Sequence, residues 1–223
     1  MQALTEQLLF HPLHERILDE EQLARLLGGS PARRYGLVNR ALQAGELQRL
    51  KRGLYVLSPP FRRSKLHPFV LAQKLMPTSY VSFETALAWH GWIPEAVYST
   101  ASVTPGRKTL EYQPEPFGHF SFHPIAIHTG YFLVQVERVE LEGQAALVAR
   151  PLRALLDWMC LHKQPWQGLA FLEDGLRIEP EYFQQVTLAD IEALQRVYKH
   201  QHIQAYLTQF THALGLSMRK EAA

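Results

Sequence analysis

Apolar positions along the first sixty residues change their spacing in a way that predicts two helices and then a hairpin. Leu23, Leu26 and Leu27 stand at i, i+3 and i+4, the stripe of an amphipathic helix. Asp19 is placed to cap that helix, with Glu20 and Glu21 in its first turn and Gln22 at the third helical position; Gly28-Gly29 ends it. Ser30 caps a second helix with Pro31 at its first position, where proline costs no hydrogen bond. Tyr35, Val38 and Leu42 predict its inward stripe, and it stops at Gly45; Gly36 inside it is a mild helix breaker. Glu46 to Leu50 and Leu54 to Leu57 then read as two short strands around a Lys51-Arg52-Gly53 turn. Residues 13–18, ahead of the first capped helix, form a short amphipathic stretch.

Beyond residue 60 the pattern mixes periods. Pro68 opens a helix with Phe69, Leu71, Ala72 and Leu75 apolar, closed by Pro77, and Ser82 caps a helix over 83–89 that ends at His90-Gly91. Residues 98–104, 109–112, 120–127, 132–139 and 146–148 are strand-like, with turns at Pro105-Gly106, Gly130 and Gly143. From Pro151 the pattern is helical, with Thr187 and Asp190 in capping-box spacing. The expectation is an α+β chain: a helical N-terminal unit over 1–60, and a larger mixed unit over 61–223 with an antiparallel sheet and C-terminal helices.

Composition changes that picture little. The 223 residues are 47% hydrophobic and 20% charged, which suits a globular chain of one or two domains. A single cysteine, Cys160, leaves no internal disulfide and suits a reducing compartment. No stretch is apolar enough to span a membrane and the N-terminus lacks signal-peptide regions, so the expected location is cytoplasmic.

Charge changes it more. Residues 1–65 hold eleven Lys/Arg against six Asp/Glu, net +5, whereas 66–223 hold twelve against fifteen, net −3. Between Arg33 and Lys65 nine basic residues face one acid, Glu46. Helix, glycine break, helix and basic hairpin follow the order of a winged helix-turn-helix, in which the second helix enters the major groove and the hairpin reaches phosphate beside it. The basic residues fall where such a unit uses them. Arg33 and Arg34 start the helix, Asn39 and Arg40 lie on its free face, Arg49, Lys51 and Arg52 lie on the wing, and Arg62, Arg63 and Lys65 follow it. Double-stranded DNA is the expected partner. One such unit reads only a few base pairs, so a monomer or weak dimer pairing on repeated half-sites is expected.

Leu-Ala-Arg-Leu-Leu-Gly from residue 23, followed by Ala-Gly-Glu-Leu-Gln-Arg-Leu-Lys-Arg-Gly-Leu-Tyr-Val-Leu from residue 44, resembles the N-terminal domain of AbiEi-type antitoxins. Tyr-Val-Ser-Phe-Glu-Thr-Ala-Leu-Ala-Trp-His-Gly-Trp-Ile from residue 80 is similar to the helix that opens that family's second domain, and Arg-Pro-Leu-Arg-Ala-Leu-Leu-Asp from residue 150 resembles a later helix start. The resemblance spans roughly residues 20–162. It implies a repressor of its own promoter, acting as the antitoxin of a type IV toxin–antitoxin or phage-defence operon, with neutralisation carried by the C-terminal unit. It also implies as partner a nucleotidyltransferase-like toxin, or that toxin's RNA target, not necessarily by direct contact.

Signs of catalysis are few. His119, Ser121 and His123 alternate with Phe120 and Phe122, with His128 nearby, and offer an alternative reading as a ligand-sensing or enzymatic site; the plain reading is the polar face of a half-buried strand. His200 and His202, two apart in a helix, are expected to face different directions. Cys160 reads as core, Asp157 as an ion-pair partner of Arg153, and Trp89 and Trp92 as packing. The chain has no P-loop, Gly-x-Gly-x-x-Gly, His-Glu-x-x-His or Gly-x-Ser-x-Gly motif. Neither catalytic residue, metal nor cofactor is expected. A protein-only adaptor is the third reading.

Overall fold

The computed structural model describes residues 1–95 and 97–216. The chain is a mixed α+β protein built around two hydrophobic clusters. The smaller cluster belongs to the N-terminal segment. Helix α1 (Ala3–Leu9) buries Leu4 and Leu8 completely against α3, and after a series of turns the chain enters β1 (Leu18–Asp19). The stretch over 13–18 follows successive reverse turns, such as His14 N–H to His11 O and Arg16 N–H to Leu13 O, which bring Leu18 opposite Tyr55.

Helix α2 (Glu20–Leu27) has the capping box its sequence calls for, with Gln22 N–H donating to Asp19 at 2.7 Å and Asp19 N–H to Gln22 Oε1 at 2.9 Å. Helix α3 (Pro31–Gln43) starts on the Ser30 hydroxyl with Pro31 inside its first turn. Its buried face is Leu37, Val38 and Ala41, so Tyr35 does not point inward as the i, i+3, i+7 stripe suggested; it is 69% exposed. The true stripe is rotated because Leu37 is the neighbour that shares a face with Ala41 and Val38. Strands β2 (Leu47–Lys51) and β3 (Leu54–Leu57) form an antiparallel hairpin with a bulge between Arg49 and Lys51, and β3 lies centrally in a three-stranded sheet, β1-β3-β2.

All four residues of β3 are buried, and they divide by parity. Tyr55 and Leu57 face the N-terminal cluster, whereas Leu54 and Val56, with Leu50 and Ile17, join the larger cluster of the second unit. The hairpin is thus covered on both sides, and a boundary at residue 60 runs alongside a packed contact.

A single 3₁₀ turn (Pro59–Phe61) leads into the second unit. Its six-stranded sheet, ordered β6-β7-β5-β4-β9-β8, comprises β4 (Tyr80–Val81), β5 (Ser99–Thr104), β6 (Leu110–Tyr112), β7 (His119–Pro124), β8 (Val136–Leu141) and β9 (Gln144–Ala149). The sheet is mixed, not antiparallel: β5 runs parallel to β7, and β4 parallel to β9. The strand expected over 132–139 begins only at Val136, and that over 120–127 ends at Pro124. Helices α4 (Pro68–Leu75) and α5 (Phe83–Trp89) pack on this sheet, and α6 (Pro151–Leu161) packs against α5. After a π-helical turn (Phe171–Gly175), α7 (Pro180–Phe183), α8 (Leu188–Leu194) and α9 (Gln201–Ala213) complete the core. Thr187 and Asp190 form the expected capping box on α8.

At the centre of this unit Arg153 and Asp157 are both fully buried and joined Nε to Oδ1 at 2.9 Å. Asp157 also accepts from Tyr80 Oη at 2.9 Å, Ser82 Oγ at 2.7 Å and Tyr198 Oη at 2.7 Å, and Arg153 donates to Val134 O at 2.7 Å. Ser82 is therefore spent on Asp157 and does not cap α5. Burial and the Asp157 charge push both tyrosine hydroxyls well above their usual range, so they serve as neutral donors to the carboxylate. Burial alone would lower the Arg153 guanidinium, but Asp157 holds it fully charged.

Candidate nucleic-acid interface

Helix α3 and the hairpin present most of the basic side chains singled out by the sequence. Arg33, Arg40, Arg49, Arg52, Arg63 and Lys65 are exposed; Arg34, Asn39, Lys51 and Arg62 are partly buried. Arg33 and Arg34 have a second task. Arg33 Nη1 donates to Leu27 O at 2.8 Å and Arg34 Nη1 to Gly29 O, so both clasp the carbonyl end of α2 and fix the angle at which α3 leaves the turn. Gly29 has φ +68°, and a Cβ there would lie 3.2 Å from Arg33 Cδ, so glycine is required at this crossing. Arg49 lies over the Tyr55 ring at 5.8 Å, held to the hairpin by cation–π contact.

Lys51 is placed differently from the wing-tip role its position suggested. Its Nζ donates to Leu75 O at 2.6 Å, at the end of α4, and lies 5.7 Å from the centre of the Tyr112 ring. Loss of solvent at this contact lowers its pKa. Arg52, beside it in the turn, is exposed and has no partner among the described residues. Arg62 is also drawn inward: burial lowers its pKa against the opposing charge of Glu15, and its Nε and Nη1 are buried without a partner among the described residues. Glu15 itself accepts from Arg63 N–H at 2.8 Å, Ser64 N–H at 3.0 Å and Ser64 Oγ at 2.6 Å. Burial would raise the Glu15 carboxyl, but these bonds and the nearby His14 hold it down to about 2.

The basic face has an acidic limit. A groove of about 510 Å³ separates the start of α2 from α3, with Glu20 and Glu21 on one side, Arg34 and Tyr35 on the other, and Leu23 and Tyr55 among its lining. Tyr35, expected on the inward stripe, lies outward; the paired apolar positions Leu37-Val38 with Ala41 were the signal that would have turned it outward.

His123 of the histidine strand lies within electrostatic reach of Glu111, Glu84, His162 and His119. His119 Nε2 lies 3.4 Å from Glu111 Oε2, Ser121 is buried, and His123 meets Phe83 edge-on, where burial lowers its pKa. His128 lies away from them, its N–H on Val197 O. His200 and His202 are closer than expected, with ring centres 5.4 Å apart, because His200 precedes α9 and is not bound by helical spacing. Trp89 packs on His67 and Phe69, whereas Trp92 is buried beside Tyr182 and Phe183. Cys160 is buried, its thiol pushed up to about 12 chiefly by desolvation. Among the described residues no group of three or more His, Cys, Asp or Glu is placed to hold a metal ion, and no helix is long and apolar enough to cross a membrane.

No family model and no curated protein matches the chain. Among solved structures it is similar to the crystal structure of the RV2827C protein from Mycobacterium tuberculosis, with a TM-score of 0.62 and 13% identity over 97% of this chain and 78% of that one. That likeness is one of fold.

Proposed function

We propose that the chain is a DNA-binding transcriptional repressor, with residues 1–60 acting as a winged helix-turn-helix on the promoter of its own operon. The observation that carries this reading is the order α1-β1-α2-α3-β2-β3 with α3 free of acidic residues and bearing the exposed Arg33 and Arg40 and the partly buried Asn39. Arg49 and Arg52 extend the positive face onto the hairpin, while Lys51, bonded to Leu75 O, and Arg62, drawn inward near Glu15, leave the set of DNA contacts. The resemblance to AbiEi-type antitoxins extends the proposal: the second unit neutralises the toxin of a type IV toxin–antitoxin or phage-defence operon, in the cytoplasm and without an enzymatic step of its own.

The test is a band-shift titration of the whole chain on a duplex taken from upstream of its own reading frame, against random duplex, across a salt series. Each phosphate neutralised adds about 0.9 to the log–log salt slope. Preference for the upstream duplex with a steep slope supports repression; equal, negligible binding to both removes it. A nucleotidyltransferase-like toxin encoded beside the gene, and rescued by this chain in growth assays, supports the antitoxin part.

A further inference from the structure

Helix α3 carries a glycine that the fold does not use. Gly36 lies in the interior of a thirteen-residue helix, with no positive φ. Glycine there is less favourable than alanine, because the unfolded chain has more backbone freedom to lose. Such a residue is commonly kept where another part of the protein comes too close for a Cβ. Here, beyond the helix's own backbone and the two chain neighbours, the one atom among the described residues that a Cβ would meet within 4 Å is Arg40 Nη1, at 3.5 Å, an ordinary contact with the far end of a flexible side chain. Contrast Gly29 and Gly53, where a Cβ would come within 3.2 Å of Arg33 and 3.0 Å of Glu20. Nothing among the described residues accounts for Gly36.

Its place on the helix supplies an external reason. The buried face of α3 is Leu37, Val38 and Ala41. Gly36 lies on the side away from them, and Asn39, three residues on, is its neighbour on that side. The Asn39 side chain, partly buried, makes no hydrogen bond among the described residues, so its amide is uncommitted, and the Arg40 guanidinium lies 3.5 Å from where a Gly36 Cβ would stand. An asparagine amide matches the N6 and N7 edge of adenine in the major groove, a contact that needs the helix seated deep enough for a short side chain to reach.

We propose that Gly36 is the point of closest approach between α3 and duplex DNA, and that its missing side chain seats the helix deeply enough for Asn39 to read an adenine. The inference rests on the proposed DNA-binding role. Gly36 is a positioning residue in it, and Asn39 the reading one.

The two effects of Gly36→Ala have opposite signs, which separates this role from a structural one. The melting temperature of the full chain should rise, by about 2–4 °C if the change is near the usual glycine-to-alanine difference. Affinity for the upstream duplex should fall about tenfold or more, with random-duplex affinity and salt slope unchanged. Asn39→Ala should weaken the same duplex, and the double variant should bind no more weakly than the worse single variant, since both remove one contact. Gly36→Val should lower affinity further while lowering stability relative to alanine. Unchanged upstream affinity in a folded Gly36→Ala variant overturns the inference while leaving the repressor reading intact, as do additive losses in the double variant. If the unmodified chain prefers no duplex, the repressor reading falls and this falls with it.

Discussion

Lys51 of the hairpin turn donates its ammonium to the main-chain oxygen of Leu75 at 2.6 Å, fastening the N-terminal unit to the end of α4. Tyr112 covers the same ammonium, and Leu50, Leu54 and Val56 extend the contact into the larger core. The hairpin that carries Arg52 toward solvent is therefore held from behind by the second unit.

This predicts a division between neighbours in the turn. Arg52→Ala should weaken all duplexes about equally and lower the salt slope by about one unit. Lys51→Ala should leave the slope unchanged and reduce the denaturation midpoint instead. A loss of one unit of slope in Lys51→Ala, measured by the same salt titration, would show that Lys51 leaves Leu75 to meet phosphate.

A fragment of residues 1–65 should be far less stable than the same segment in the whole chain. It strips cover from Ile17, Leu50, Leu54 and Val56, each worth about 1.5–3 kcal/mol when fully buried. Circular dichroism melts of fragment and full chain make the comparison. A fragment that melts cooperatively at the full-chain temperature contradicts the shared hairpin.

The buried pair in the second unit should be intolerant of single changes. Asp157→Ala leaves the Arg153 guanidinium charged in a dry site and removes the acceptor of Tyr80, Ser82 and Tyr198. A cost of about 3–5 kcal/mol is expected in denaturant unfolding. Cys160→Ala, on the same helix, should cost less, since it removes a small buried side chain and no charge partner. Comparable losses for both would mean that packing, not the ion pair, dominates there.

Glu15 gives a pH-dependent contribution whose sign is fixed. Its folded pKa, about 2, lies below the ordinary glutamate value of 4.5, so its stabilisation is present above about 4.5 and is lost as pH falls toward 2. Glu15→Gln should therefore be less stable than the parent at neutral pH, and the gap should narrow through that acid window. Thermal melts of the two proteins at stepped pH measure it. A gap that stays constant down to pH 2 would place the effect in shape and not in charge.

The local elements were legible from the chain because their causes are local. Asp19 with Gln22, Ser30 with Pro31 and Thr187 with Asp190 satisfy helix-end amides within a few residues, so the starts of α2, α3 and α8 follow from sequence. Arg153 and Asp157 could be paired for the same reason, being four apart on one helix. Their tyrosine partners could not, since Tyr80 and Tyr198 reach them only through the packing of distant segments. Strand order was equally hidden: alternation marks a strand but does not choose its neighbour, so the parallel pairs β5–β7 and β4–β9 had no signature. Leu54 to Leu57 read only as a hairpin strand, and the tertiary structure supplied the layer that buries its second face. That layer decides which basic residues remain free, because a cation's availability depends on what packs behind it: Arg52 projects, and Lys51, one residue earlier, is held on Leu75.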